Sequence, residues 1–333
     1  MDPARRTSLA SLLAALWCAC AYACACATGQ GAEEGSGAAG ASAAIGGNPD
    51  SMYDAASGEL RVPPLDAGMQ IMTPAFDIPP GAEIYACFHT ELGYDAPIEV
   101  QYYESKMEAG SHHFILYRMD DDPAPIGSLD PIWCSGDFNH QNWIYSASQP
   151  HIDLQMPEGV AVELKPRQRV MLDMHYINTT DQTLKAEVRV NLMFAHGAFQ
   201  NAASMVSYNT DIRVPAHGMQ TVSSECTPGD GAKFFYLLTH THRHGVLSTV
   251  HRVLANGALG EELIRSTDWE RPQEGKWLHE PYLTFAPGEK VRIDCSYRND
   301  TDQIIMTGPS AVANEMCMLI AYFHPASADG ACH

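Results

Sequence analysis

Short alternating segments broken by Gly, Pro, Asn and Asp run through the chain from about residue 50 onward. Residues 187–194 (Glu-Val-Arg-Val-Asn-Leu-Met-Phe) are typical, with a period of two that suits a half-buried strand. Pro63-Pro64, Pro79-Pro80-Gly81 and Pro228-Gly229-Asp230-Gly231 read as turns. No amphipathic helix of several turns is evident. Strand faces must be covered by other strand faces, so the prediction is all-β, with two antiparallel, jelly-roll-like β-sandwich domains in tandem. The alternating segment ending at Phe194 gives way to an apolar-poor stretch over 200–209, and a new pattern starts at Ile212-Arg213-Val214-Pro215. The domain boundary is therefore expected near 196–206, giving domains over 50–200 and 201–333.

Two histidine clusters sit on this strand-like text. In the first, His112-His113 opens the apolar run 114–117, and His175 lies in residues 170–176 on the face it shares with Asp173. Adjacent histidines on a regular strand point to opposite faces. They can share one metal only at a strand end, at a bulge, or by one using Nδ1 and the other Nε2. In the second, His240-Thr241-His242 ends a run in which Phe234, Tyr236, Leu238, His240, His242 and His244 are expected to share a face. Two imidazoles on one face make a bidentate clamp. Met316, about 75 residues on, would add a soft thioether that favours copper over zinc or iron. Solvated surface histidines are the plain alternative for the second cluster, and two unrelated histidines with one surface histidine for the first; His244 is expected to be solvated or to support the others.

The order His-His, His-Tyr, His-Thr-His and Glu-Met-Cys resembles the copper type II, ascorbate-dependent monooxygenases, the family of peptidylglycine α-hydroxylating and dopamine β-monooxygenases. Connecting text shares the resemblance: Met156-Pro157-Glu158-Gly159-Val160, Ala286-Pro287-Gly288-Glu289 ahead of Cys295-Ser296-Tyr297, and Asn314-Glu315-Met316-Cys317. It runs from about Cys87 to Cys332. Carried over, it implies that His112, His113 and His175 hold an electron-supplying copper. His240, His242 and Met316 would hold the copper at which oxygen binds and substrate is attacked, and these three are the catalytic set. The implied reaction is hydroxylation of a C–H bond of a small organic substrate with O2 and a one-electron donor such as ascorbate, using two copper ions per chain. Glu315 is expected to be structural. In the peptide-hydroxylating branch polar residues grip a carboxylate at positions that are Leu238, Met318 and Ile320 here, and aliphatic groups cannot form that bond. A C-terminal glycine peptide is therefore not the expected substrate.

The N-terminus reads as an export signal over 1–27, with Arg5-Arg6, a short apolar core over 9–16 and an Ala/Cys run. Cys18, Cys20, Cys24 and Cys26 offer sites for a lipid anchor, and the Gly/Ala/Ser-rich residues 28–49 read as a flexible tether. The protein is thus expected in the periplasm, on the cell surface as a lipoprotein, or secreted. Six cysteines remain, an even set that argues for disulfides in an exported chain but leaves fifteen pairings open. The family resemblance implies Cys87–Cys134, Cys226–Cys332 and Cys295–Cys317. Forty acidic against twenty basic residues, a net charge of −20, argues against a nucleic-acid partner or an anionic lipid surface. Two other functions fit the same text: an exported copper store or electron carrier without oxygenase activity, and a surface interaction module with incidental histidines.

Overall fold

The computed structural model describes residues 51–130, 134 and 143–328. The expected export signal, the tether and Cys332 lie outside the described residues. Among those described there is no helix, and the strands pair almost throughout in antiparallel fashion. The described residues form one compact unit.

The sheets sort by sequence. One six-stranded sheet is centred on Ile98–Met107 and flanked by Val160–Leu164 and Val188–Phe194. A five-stranded sheet follows the order Leu129–Asp130, Glu83–Glu91, Arg169–Ile177, Ser111–Met119, Trp143–Ala147. Later residues build two four-stranded sheets. The first runs Ala203–Tyr208, Met318–His324, Lys233–His240, Glu274–Lys276. The second runs Met219–Cys226, Lys290–Arg298, Gly245–Val253, Leu259–Ser266. No ladder among the described residues pairs a strand before residue 202 with one after it.

Two apolar cores meet at one sheet. Met318, Ile320 and Tyr322 join the core of the first-half sheets, with Tyr236 and Leu238. Leu319, Ala321 and Phe323 join the second core, with Phe234, Leu237, Ile293 and Tyr297. Strand alternation sends successive side chains to opposite sides, so every residue of Met318–His324 is buried. Each large apolar side chain so covered stabilises by about 1.5–3 kcal/mol.

Two disulfides join described residues, Cys87–Cys134 and Cys295–Cys317. Cys226 is also disulfide-bonded, and its expected partner Cys332 lies outside the described residues.

Candidate metal centre

The expected face from Phe234 to His244 holds only in part. The pairing of Lys233–His240 with Met318–His324 shifts register between Phe234 and Tyr236. The bulge sends Phe234 into the second core, while Tyr236 and Leu238 face the first. The strand itself stops at His240. Residues His242 to Gly245 then form a turn closed by the Gly245 amide on the His242 carbonyl, 2.9 Å. Gly245 lies so close to Thr241 that a Cβ there would come within 2.5 Å of its hydroxyl, so the tight return needs glycine. His242 is therefore aimed by a turn rather than by strand alternation.

Glu315 fixes that turn. Its carboxylate receives the backbone N–H of His242 at 2.9 Å and of His244 at 2.7 Å, inside a fully buried pocket. Burial raises its pKa to about 7 against the opposing pull of those amides. The residue beside it, Met316, has its carbonyl held by the Tyr297 hydroxyl at 2.8 Å. Cys317 turns the other way into the second core, where it is bonded to Cys295.

On the first-half side, Ser111–Met119 pairs with Arg169–Ile177 in a register that breaks at this point. His113 stands opposite His175, and Ser111 opposite Tyr176, so His112 is the extra residue of a bulge. That is the irregularity adjacent histidines require if both are to face one point. His112, His113 and His175 offer nitrogens that all lie within 4.8 Å of one another, and so do His112, His240 and His242. The two sets thus share His112. Ring centroids of His113 and His240 are 5.2 Å apart, and those of His112 and His242 are 5.9 Å apart.

These imidazoles point unused nitrogens at each other. His112 Nε2, His113 Nδ1, His175 Nδ1, His240 Nε2 and His242 Nε2 are all buried without a hydrogen-bond partner. Five such orphans in one place are costly unless something binds them. Two of the rings have their tautomer set from behind. His175 Nε2 meets a Glu83 carboxylate oxygen at 2.8 Å, and His242 Nδ1 meets the Asn314 carbonyl at 3.2 Å. Both partners can only accept, so these nitrogens carry the proton and the inward ones keep a lone pair. Burial, followed by mutual repulsion, drives His112, His113 and His242 well below the usual histidine pKa, and His240 down to about 4. Neutral imidazoles with inward lone pairs are what a metal ion takes. The donor set fits copper.

An apolar pocket adjoins this cluster. His113, His240 and Met316 line it with Leu238, Met318 and Ile320. Met316 thus lines the pocket together with His240 and His113. Asp173 also lines the pocket, and burial raises its carboxyl pKa to about 7.

Residues 199–333 match the family model described as copper type II ascorbate-dependent monooxygenase, C-terminal domain. Over those residues the chain is similar to that family's C-terminal domain. The match covers His240, His242, Glu315 and Met316. No curated protein matches the chain. Among solved structures, the major capsid protein P2 from bacteriophage PM2 is similar over 77% of this chain and 97% of that one. The TM-score is 0.30 and the identity 7%.

Sequence reasoning passed over Glu83. Its carboxylate takes His175 Nε2–H, the Ser310 hydroxyl at 2.6 Å and the Ala311 amide at 2.9 Å. Burial would raise its pKa, but these hydrogen bonds hold it down at about 2. Glu83 sits in a strand of otherwise ordinary pattern, so no local signal marks it. The two-residue spacing that puts Asp173 on the face of His175 was legible in the sequence, but its place in the wall of the apolar pocket was not.

Proposed function

We propose that the protein is a copper-dependent monooxygenase that hydroxylates a C–H bond of a small organic substrate with O2 and a one-electron donor such as ascorbate. The observation that carries this reading is the set of five buried, partnerless imidazole nitrogens beside an apolar pocket that Met316 lines. His112, His113 and His175 would hold one copper; His240, His242 and Met316 would hold the second. Bound there, copper supplies one-electron redox chemistry and a place for O2. The rest falls to the chain. Leu238, Met318 and Ile320 present an apolar wall beside His240 that receives a hydrocarbon-like substrate and keeps bulk water away. Glu83 and Asn314 hold the rings of His175 and His242 in the metal-binding tautomer. From its N-terminal sequence the protein is proposed to act after export, in an oxidising compartment where its disulfides persist.

The test is metal analysis followed by turnover. Two coppers per chain should remain after dialysis against a weak chelator. Ascorbate oxidation in air should then yield a hydroxylated product from a panel of small apolar compounds. Copper that is bound and reduced without any product would make the chain an electron carrier. Loss of all copper on dialysis would end both readings.

A further inference from the structure

The histidine cluster has two approaches of opposite chemistry. The apolar pocket reaches it from the His113, His240 and Met316 side. A second, more polar cleft has His112 in its wall, with Gln149, Thr179, Arg243, Trp269 and Arg271 around it. The Trp269 ring packs on His112 with centroids 5.4 Å apart. Glu270 also lines this cleft and is the one carboxylate among its described lining residues. In a chain with a net charge of −20, a cavity with two guanidiniums and one carboxylate is a local reversal of sign. Four of the five other arginines of this half are engaged with acids, Arg252 with Glu289, Arg265 with Glu262, Arg292 with Asp294 and Arg298 with Asp300, and Arg213 is the exception. Arg243 and Arg271 stand outside those pairs and are exposed.

We propose that this cleft is the docking site of the electron donor, a small, oxygen-rich monoanion of the ene-diol class such as ascorbate. The inference rests on the function proposed above and adds to it a division of labour between the two approaches. Guanidiniums suit an anion's charge and planar oxygens, and the Thr179 hydroxyl and Gln149 amide suit its hydroxyl groups. The two guanidiniums favour an anion over an apolar substrate in this cleft, and a charged donor would lose its hydration in the apolar pocket. Each docked donor gives up one electron and one proton at the His112 edge and departs as its radical anion. Two donors per cycle balance the reaction: R–H, O2, two electrons and two protons give R–OH and water.

Arg271→Glu and the double variant Arg243→Glu/Arg271→Glu test this. Arg271 is remote in sequence from every histidine of the cluster, which separates loss of charge from disturbance of His242. Ascorbate titrated under argon onto metal-free protein, followed by tryptophan fluorescence, should saturate in the wild type and bind at least tenfold more weakly in the double variant. In stopped-flow reduction of the copper(II)-loaded protein, the rate with ascorbate should fall by a similar factor. The rate with a cationic donor, hexaammineruthenium(II), should stay level or rise. Equal slowing with both donors, or ascorbate binding and reduction unchanged by the charge reversals, overturns the proposal. Both measurements are independent of oxygenase turnover. A protein that binds and is reduced by ascorbate at this cleft but hydroxylates nothing would remove the proposed function and leave the dock standing.

Discussion

Glu83 and His175 are joined at 2.8 Å, and the same Glu83 carboxylate takes the Ser310 hydroxyl and the Ala311 amide from the segment leading to Met316. One side chain therefore orients an imidazole of the first half and ties down a loop of the second. Glu83→Ala should weaken copper at His112, His113 and His175 by about 10–100-fold, the usual effect of removing a carboxylate behind a histidine ligand. Metal titration followed by electron paramagnetic resonance measures it. Wild-type affinity in the variant would show that the carboxylate does not position His175.

Met316→Ile keeps the volume and removes the thioether. Ascorbate-dependent turnover should collapse while one copper per chain remains bound at the first-half histidines. Intact turnover in this variant would take Met316 out of the metal site.

His112 is the residue the two imidazole sets share, so single replacements are more telling than a double one. His113→Ala should leave the copper at His240, His242 and Met316 undisturbed, because its orphan Nδ1 belongs to the first set alone. His112→Ala should lower retention at the first set and also perturb the spectrum of the second. Identical spectra for the two variants would mean that His112 serves one set only.

Cys317→Ser removes a cross-link between residues 22 apart in sequence. Closing a loop of that length stabilises by roughly 3 kcal/mol in the chain-entropy model. Chemical denaturation should show a loss of that order, with copper at His240, His242 and Met316 weakened and the first-half site nearly unchanged. Free thiols at Cys295 and Cys317 in the exported protein would remove the premise.

Glu104 supplies a pH-dependent element that is no part of the histidine cluster. Burial opposes its charge, but His151, the Ser51 hydroxyl and the Met52 amide hold its pKa below the ordinary 4.5. A depressed acid contributes stability that is fully present above its unfolded pKa and is lost as pH falls through the folded one. Glu104→Gln should therefore lower the wild-type melting temperature at pH 7, with the gap narrowing as pH drops below about 4.5. A gap that is constant from pH 7 to pH 3 would contradict the assignment.

The all-β class was legible because strand alternation and turn residues are local signals. The adjacent His112 and His113 left a bulge as one of three options, and the bulge near Phe234 had no sign at all, since each bulge depends on how a neighbouring strand pairs. They decide the site all the same: one brings His112 and His113 to a common point, and the other turns Tyr236 and Leu238 away from Phe234. Motif order pointed to His240, His242 and Met316, yet the turn at Gly245 and the Glu315 clamp, rather than a continuous strand, aim His242. Glu83 and the arginine-bearing cleft were invisible because their partners lie far away in sequence.

The strand Met318–His324 divides its residues between two cores, and this separates two kinds of change. Met318 and Ile320 face the pocket beside His240, whereas Leu319 and Ala321 sit in the second core near Cys295. Replacing one residue of the first pair reshapes the space offered to a substrate and leaves the packing under the disulfide untouched. Selection could in this way explore new substrates at every second position of one strand, at little risk to the structure that holds Met316.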